Sequence, residues 1–129
     1  MTHSSDRLTD EALSTFLMAF YERARQDETL SPIFAGIPDA AWPGHLARIH
    51  DFWTSVMHGS GRYKGNPFGA HLGIGIEPRH FERWLALFEE TAAEQLRFDA
   101  AAPLIVKAHR IADSLRAGLL YRPDLAQSA

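Results

Sequence analysis

Seven histidines and no cysteine set the chemistry this chain can attempt. Two of the histidines lie in "NPFGAHLGIGIEPRHFERW", Asn66 to Trp84, with His71 and His80 nine positions apart. No carboxylate sits close to His71, whose neighbours are Phe68, Leu72, Ile74 and glycines. A zinc or iron site built from protein alone needs three or four ligands converging at about 2 Å. No histidine pair has the four-residue spacing that puts two ligands on one helical face, and His45 and His50, five apart, diverge. The absence of cysteine excludes disulfides, thiol catalysis, iron–sulfur clusters and thioether-linked haem.

A porphyrin changes the requirement. It brings four nitrogens, so the protein supplies one axial ligand and a flat, apolar, aromatic pocket. His71, among apolar residues on a short helix closed by Gly73, suits that task. His45 shares a face with Ile49 and Trp53 and would look into the core from another helix. The alternative for both is a core histidine satisfied by backbone partners, and the residues alone leave the two readings open. His50, His58, His80 and His109 fall off the apolar stripes and are expected at the surface, and His3 in a terminal tail. Glu89 and Glu90 follow the apolar stripe and read as a solvated face. No GxSxG, GxGxxG or phosphate-loop pattern occurs.

The elements that must position these residues are helices. Leu13, Phe16, Leu17, Phe20, Tyr21 and Ala24 form one stripe, with Thr9 as its cap. Asp39 is expected to cap a second helix carrying His45, Ile49, Phe52, Trp53 and Val56, ending near Gly59. "GSGRYKGNP" is a loop, after which Asn66 and Pro67 open a helix of about two turns ended by Gly73. Pro78 opens a long helix buried along Phe81, Trp84, Leu85, Phe88, Ala92 and Leu96. Asp99 is expected to cap the last helix, whose stripe runs Leu104, Ala108, Ile111, Ala112, Leu115 and Leu119. The alternation Leu72, Ile74, Ile76 is one isolated strand-like stretch and cannot make a sheet. The chain therefore reads as one all-α domain over 1–129, with frayed tails at 1–7 and 122–129.

The formal net charge of −3 and the lack of a Lys/Arg run give no pull toward nucleic acid or an anionic membrane. No apolar stretch approaches the ~20 residues of a membrane span, and the polar N-terminus has no signal-peptide core. A cytoplasmic location is the expectation.

Several segments together carry a resemblance: "AFYERAR", "SPIF", "WPGHLARIHDFW", "GRYKGNPFGAHLGI" and "HFERWLALFEE". In this order and spacing, over roughly Leu8 to Leu120, the chain resembles the third group of truncated haemoglobins. The resemblance implies a two-over-two helical sandwich around haem b, with His71 as the proximal iron ligand. It implies a distal set of Tyr21, His45 and Trp84, and cofactor contacts from Phe34, Ile49, Trp53, Phe68, Ile76 and Phe81. Trp53 is expected as structural support, and Arg48, with Arg79 a weaker candidate, as partner of a haem propionate. The chain has no Gly-Gly pair, which departs from the first two groups and agrees with the third.

The resemblance implies binding of O2, NO or other diatomic ligands, an unknown reductase as electron donor, and a monomer or weak dimer. The expected second partner of His71 is a backbone carbonyl within its short helix, because no carboxylate is adjacent. Tyr21 and Trp84 would donate to a bound ligand, each by about 1–3 kcal/mol. Such tight holding serves oxygen transport poorly and suits NO conversion to nitrate or peroxide handling. The competing reading is a globin-fold gas or redox sensor, or an interaction module without turnover. Lack of an appended signalling domain speaks against the first, and retention of His71 with the polar distal set against the second. A small helical structural protein is the remaining alternative.

Overall fold

The computed structural model describes residues 8–119. Six α-helices occupy this span: α1 (Asp10–Gln26), α2 (Ser31–Phe34), α3 (Trp42–His58), α4 (Pro67–Ala70), α5 (Pro78–Gln95) and α6 (Phe98–Leu119). A 3-10 turn at Asp39–Ala41 precedes α3. No strand occurs among the described residues. The tails expected to fray, at 1–7 and 122–129, lie outside them.

Helix α1 starts where Thr9 Oγ1 accepts the Ala12 N–H at 3.0 Å. Asp10 and Glu11 in its first turn and Arg23 and Arg25 in its last complement the helix dipole. Its whole predicted stripe, Leu13 to Ala24, is buried. α1 packs on α3 and on α5, and α5 packs on α6. The two-residue connection at Leu96 and Arg97 forces α5 and α6 to run antiparallel. The result is two crossed helical pairs, the two-over-two arrangement.

Phe88 is the hub of the core. Its ring centroid lies 4.9 Å from Phe16, 5.1 Å from Phe20, 5.4 Å from Trp53 and 5.0 Å from Trp84. The edge-on contacts with Phe16 and Phe20 add about 0.5–1.5 kcal/mol each to the burial of apolar area. The two fully buried threonines are satisfied: Thr54 Oγ1 donates to the Asp51 carbonyl and Thr91 Oγ1 to the Leu87 carbonyl.

Four expectations from the sequence need correction. Asp39 does not cap α3; its carboxylate accepts from Arg25 at 2.9 Å, and α3 begins at Trp42 after the 3-10 turn. Pro43 in the first turn lacks an N–H, so one orphan donor is already gone. Asp99 lies inside α6, because the Ala100 and Ala101 N–H groups both bond to the Arg97 carbonyl one position earlier. Helix α4 is a single turn rather than two, and His71 is its C-terminal cap. His80 is buried at 6% exposure, not superficial, since its Nδ1 turns back to accept the Glu77 backbone N–H at 2.8 Å.

The alternation of Leu72, Ile74 and Ile76 is loop. Gly73 and Gly75 both take φ of +77°, which side chains with a Cβ rarely adopt. These two turns let the chain leave α4 and reach Pro78 within a few residues. Upstream, the 59–66 loop is tied to α3 through Thr54 Oγ1 and Ser60 Oγ at 2.9 Å and the Tyr63 N–H on Ser55 Oγ at 3.0 Å.

Candidate functional site

Asn66 caps α4, its side-chain oxygen accepting the Gly69 N–H at 3.2 Å. That turn presents His71, whose Nδ1 lies 2.5 Å from the Pro67 carbonyl oxygen. A carbonyl only accepts, so Nδ1 carries the proton and Nε2 keeps its lone pair. The backbone partner expected for His71 is thus present, and the imidazole has one nitrogen fit to bind a metal.

His45 is half-buried on α3. Its burial, then the nearby Arg48 guanidinium and His71, hold its pKa below the ordinary 6.5, so it is neutral at pH 7. The two imidazoles are therefore within electrostatic reach of each other. Trp42, which the sequence reading passed over, lies against His45 with ring centroids 5.3 Å apart. The Arg25 guanidinium covers Trp42 at 4.1 Å.

Tyr21 closes the floor. It is 8% exposed, and its ring meets Phe20 at 4.7 Å, Phe34 at 6.0 Å and Trp42 at 6.5 Å. Burial pushes the Tyr21 phenol up to about 12, against the nearby Trp84 and Trp53 indole N–H groups, which favour its ionised form. An indole N–H only donates, so towards either one the Tyr21 oxygen can only accept. Trp53, expected as support for the pocket and as a cofactor contact, also lies near the Tyr21 oxygen. Trp84 is half-buried, edge-on to Phe20 at 5.6 Å and tilted against Phe88 at 5.0 Å.

The remaining candidates divide by position. Ile49 and Ile76 are half-buried, and Phe81 is buried beside His80. Phe68 rests on α6, where a Cβ on Gly118 would come within 2.6 Å of its ring. Arg48 is exposed on α3, whereas Arg79 is engaged with Glu77 at 2.9 Å. Phe52, edge-on to Tyr63 at 5.3 Å, is a further half-buried aromatic on the His45 side. Trp42 and Phe52 had a legible signal, since each stands three positions from a candidate on the same helix.

Whether a porphyrin fits here turns on uncovered apolar surface. Helix α3 has a long apolar stripe, yet only Trp53 and Thr54 on it are buried. Helix α4 has no buried residue and packs on α6 rather than closely on α3. Phe68, Leu72 and Ile74 beside His71 are 39%, 54% and 42% exposed. Apolar area left open around two imidazoles, one with a free nitrogen, matches a flat apolar cofactor with one axial ligand. Among the described residues no group of three or more His, Asp or Glu could hold a bare metal ion. The class defined is a two-over-two helical sandwich with apolar surface left open beside two imidazoles.

The profile of the bacterial-like globins matches residues 9–111. A group 3 truncated hemoglobin of Campylobacter jejuni is 32% identical over 121 residues, covering 91% of this chain and 94% of that protein. The crystal structure of a group III truncated hemoglobin from Campylobacter jejuni superposes with a TM-score of 0.81 and 32% identity, covering 95% of this chain and 97% of that one. The chain belongs to the bacterial-like globin family, in its third group of truncated haemoglobins, and as a globin it is a haem-binding protein. No helix among the described residues is long and apolar enough to cross a membrane.

Proposed function

We propose that the chain holds haem b through His71 and binds O2, NO or another diatomic ligand beside Tyr21, Trp84 and His45. The observation that carries this reading is the His71 Nδ1 hydrogen bond to the Pro67 carbonyl, which leaves the Nε2 lone pair for a metal at the end of a turn with no buried residue. Haem held by His71 would supply an iron able to take a diatomic ligand.

The chain's own residues do the rest. A carbonyl partner makes the His71 imidazole a moderate electron donor, weaker than a carboxylate-bound one. The raised pKa keeps the Tyr21 proton in place at pH 7, so the phenol remains a donor. The two indoles near its oxygen can only donate, which leaves the phenol O–H for a ligand. Neutral His45 can swing or donate without carrying a charge into an apolar pocket. Phe34, Ile49, Trp53, Phe68, Ile76 and Phe81 exclude water from the cofactor faces, and exposed Arg48 meets a propionate at the edge.

Two donors acting together slow ligand release by a factor on the order of a hundred. Slow release suits turnover of NO with O2 to nitrate, or of peroxide, with electrons from a cytoplasmic reductase. The test is an absorption spectrum. The wild-type protein is expected to show a Soret band on haem addition that is lost or strongly shifted in His71→Ala. Absence of haem uptake in both oxidised and reduced conditions would end the reading. An Fe–His stretching frequency in the high range of peroxidases would overturn the carbonyl-bound form of His71.

A further inference from the structure

The last turn of α1 and the first turn of α3 are joined by a row of contacts that ends on His45. Arg25 Nη2 donates to Asp39 Oδ1 at 2.9 Å. The same guanidinium lies 4.1 Å over the centroid of the Trp42 ring. Trp42 in turn lies against His45, with ring centroids 5.3 Å apart and planes 37° from parallel. Asp39, Trp42 and His45 step by three, first through the 3-10 turn and then through the first turn of α3. That spacing keeps them on one side of the chain, where α1 brings Arg25.

The indole is held on other sides as well. The Phe34 ring is edge-on to it at 5.9 Å, and the Tyr21 ring centroid is 6.5 Å away. A half-buried tryptophan packed in this way, with a cation over its face, has little freedom to turn. His45 has more. Its neighbours Pro43, Gly44 and Ala47 are exposed. Beyond its own chain neighbours, a Cβ on Gly44 would meet nothing nearer than the Arg48 guanidinium at 4.0 Å. The imidazole thus has an inner seat on the indole, where His71 is close enough to act on it electrostatically. On its outer side it has open space.

We infer that Trp42 is a positioning residue for His45: clamped by Arg25 and Asp39, it holds the imidazole over the ligand side and so sets how often a diatomic ligand gains entry. This rests on the haem reading proposed above and adds to it the part that times the gate. A ring pair of this kind favours the seated imidazole by about three- to tenfold. Loss of the indole raises the open fraction by that factor, and ligand entry follows the open fraction. Loss of Arg25 loosens the indole without removing it, so a smaller effect of about twofold follows.

The experiment is CO recombination after flash photolysis of the full-length haem-loaded protein. CO takes up little negative charge, so its entry reports the gate rather than the Tyr21 donor. Trp42→Ala is expected to speed bimolecular recombination about three- to tenfold. Trp42→Phe, which keeps an aromatic wall, should stay near wild type. Arg25→Gln, which leaves the indole in place, should speed recombination about twofold. In a His45→Ala background none of these changes should add to the acceleration already present, because the group they position is gone.

A second readout needs no haem. In the full-length haem-free chain, the carbon-bound proton signals of the His45 imidazole, identified by their loss in His45→Ala, feel the ring current of Trp42. They should shift in Trp42→Ala and shift less in Arg25→Gln. Unchanged recombination in Trp42→Ala, or an equal acceleration with and without His45, overturns the inference. So do His45 signals that stay in place in Trp42→Ala. A chain that takes up no haem ends the haem reading and this inference with it. A haem-loaded chain whose CO entry ignores Trp42 ends this inference alone.

Discussion

Replacing Tyr21 by phenylalanine isolates one hydroxyl and should act on two measurements at once. The phenol is buried, with the indoles of Trp53 and Trp84 near its oxygen. Its own proton is the donor left for a diatomic ligand. A hydrogen bond to a ligand of partial negative charge is worth roughly 1.5–3 kcal/mol, or about ten- to a hundredfold in dissociation rate. Trp84 is half-buried and its N–H can still donate to the ligand, so the lower part of that range is expected. Stopped-flow displacement of O2 by CO should show release about tenfold faster in Tyr21→Phe. A release rate within twofold of wild type, or slower, would refute the donor role.

The same substitution has an alkaline signature. The folded-state pKa of about 12 exceeds the ordinary 10.0, so between these values the folded protein keeps a proton that the unfolded chain loses. Stability is therefore full below pH 10 and falls as pH rises from 10 to 12, by about 2–3 kcal/mol from this group. Chemical denaturation at pH 9 and pH 11.5 should show a smaller alkaline loss in Tyr21→Phe than in wild type. Equal losses would mean the phenol is not held neutral by its surroundings.

Two further outcomes follow from other residues. His45, with its pKa held below 6.5, costs stability as pH falls through and below that value, because the unfolded chain takes the proton first. The stability lost between about pH 7.5 and 5.5 should thus be greater for wild type than for His45→Leu, and identical acid profiles would contradict that placement. At Gly118, an added methyl meets the Phe68 ring at 2.6 Å while removing a helical glycine. Gly118→Ala should raise the melting temperature or leave it unchanged, since helix propensity gains up to ~1 kcal/mol. Haem should nevertheless dissociate several-fold faster, because the ring beside His71 is displaced. Unaltered haem loss would separate Phe68 from the cofactor.

Much of the fold is local in origin and therefore legible. The stripe of α1 recurs at helical spacing and is buried without exception, because one helical face has one environment. The caps at Thr9 and Asn66 and the stop at Gly59, with φ of +64°, follow from single residues acting on their own turn. The cap expected at Asp39 failed because Arg25, fourteen residues away, competes for its carboxylate. His80 looked like a surface residue because periodicity says nothing of a side chain folding back onto its own helix start.

At the site the division is similar. The sequence by itself determined which residue types are present: one histidine on a short capped turn, a tyrosine on the α1 stripe, and no thiols. It also determined the carbonyl partner of His71, because Pro67 lies four residues upstream in the same turn. Only the tertiary structure decided that both Trp53 and Trp84, from different helices, lie near the Tyr21 oxygen. It alone placed Trp42 between Arg25 and His45, and Phe68 on Gly118. Except for Trp42 and His45, three apart on one helix, those contacts join residues 17 to 63 positions apart, or depend on the angle at which helices cross. Hydrophobic spacing along one chain segment carries no information about that angle. It is set by which ridges and grooves the packed side chains offer one another.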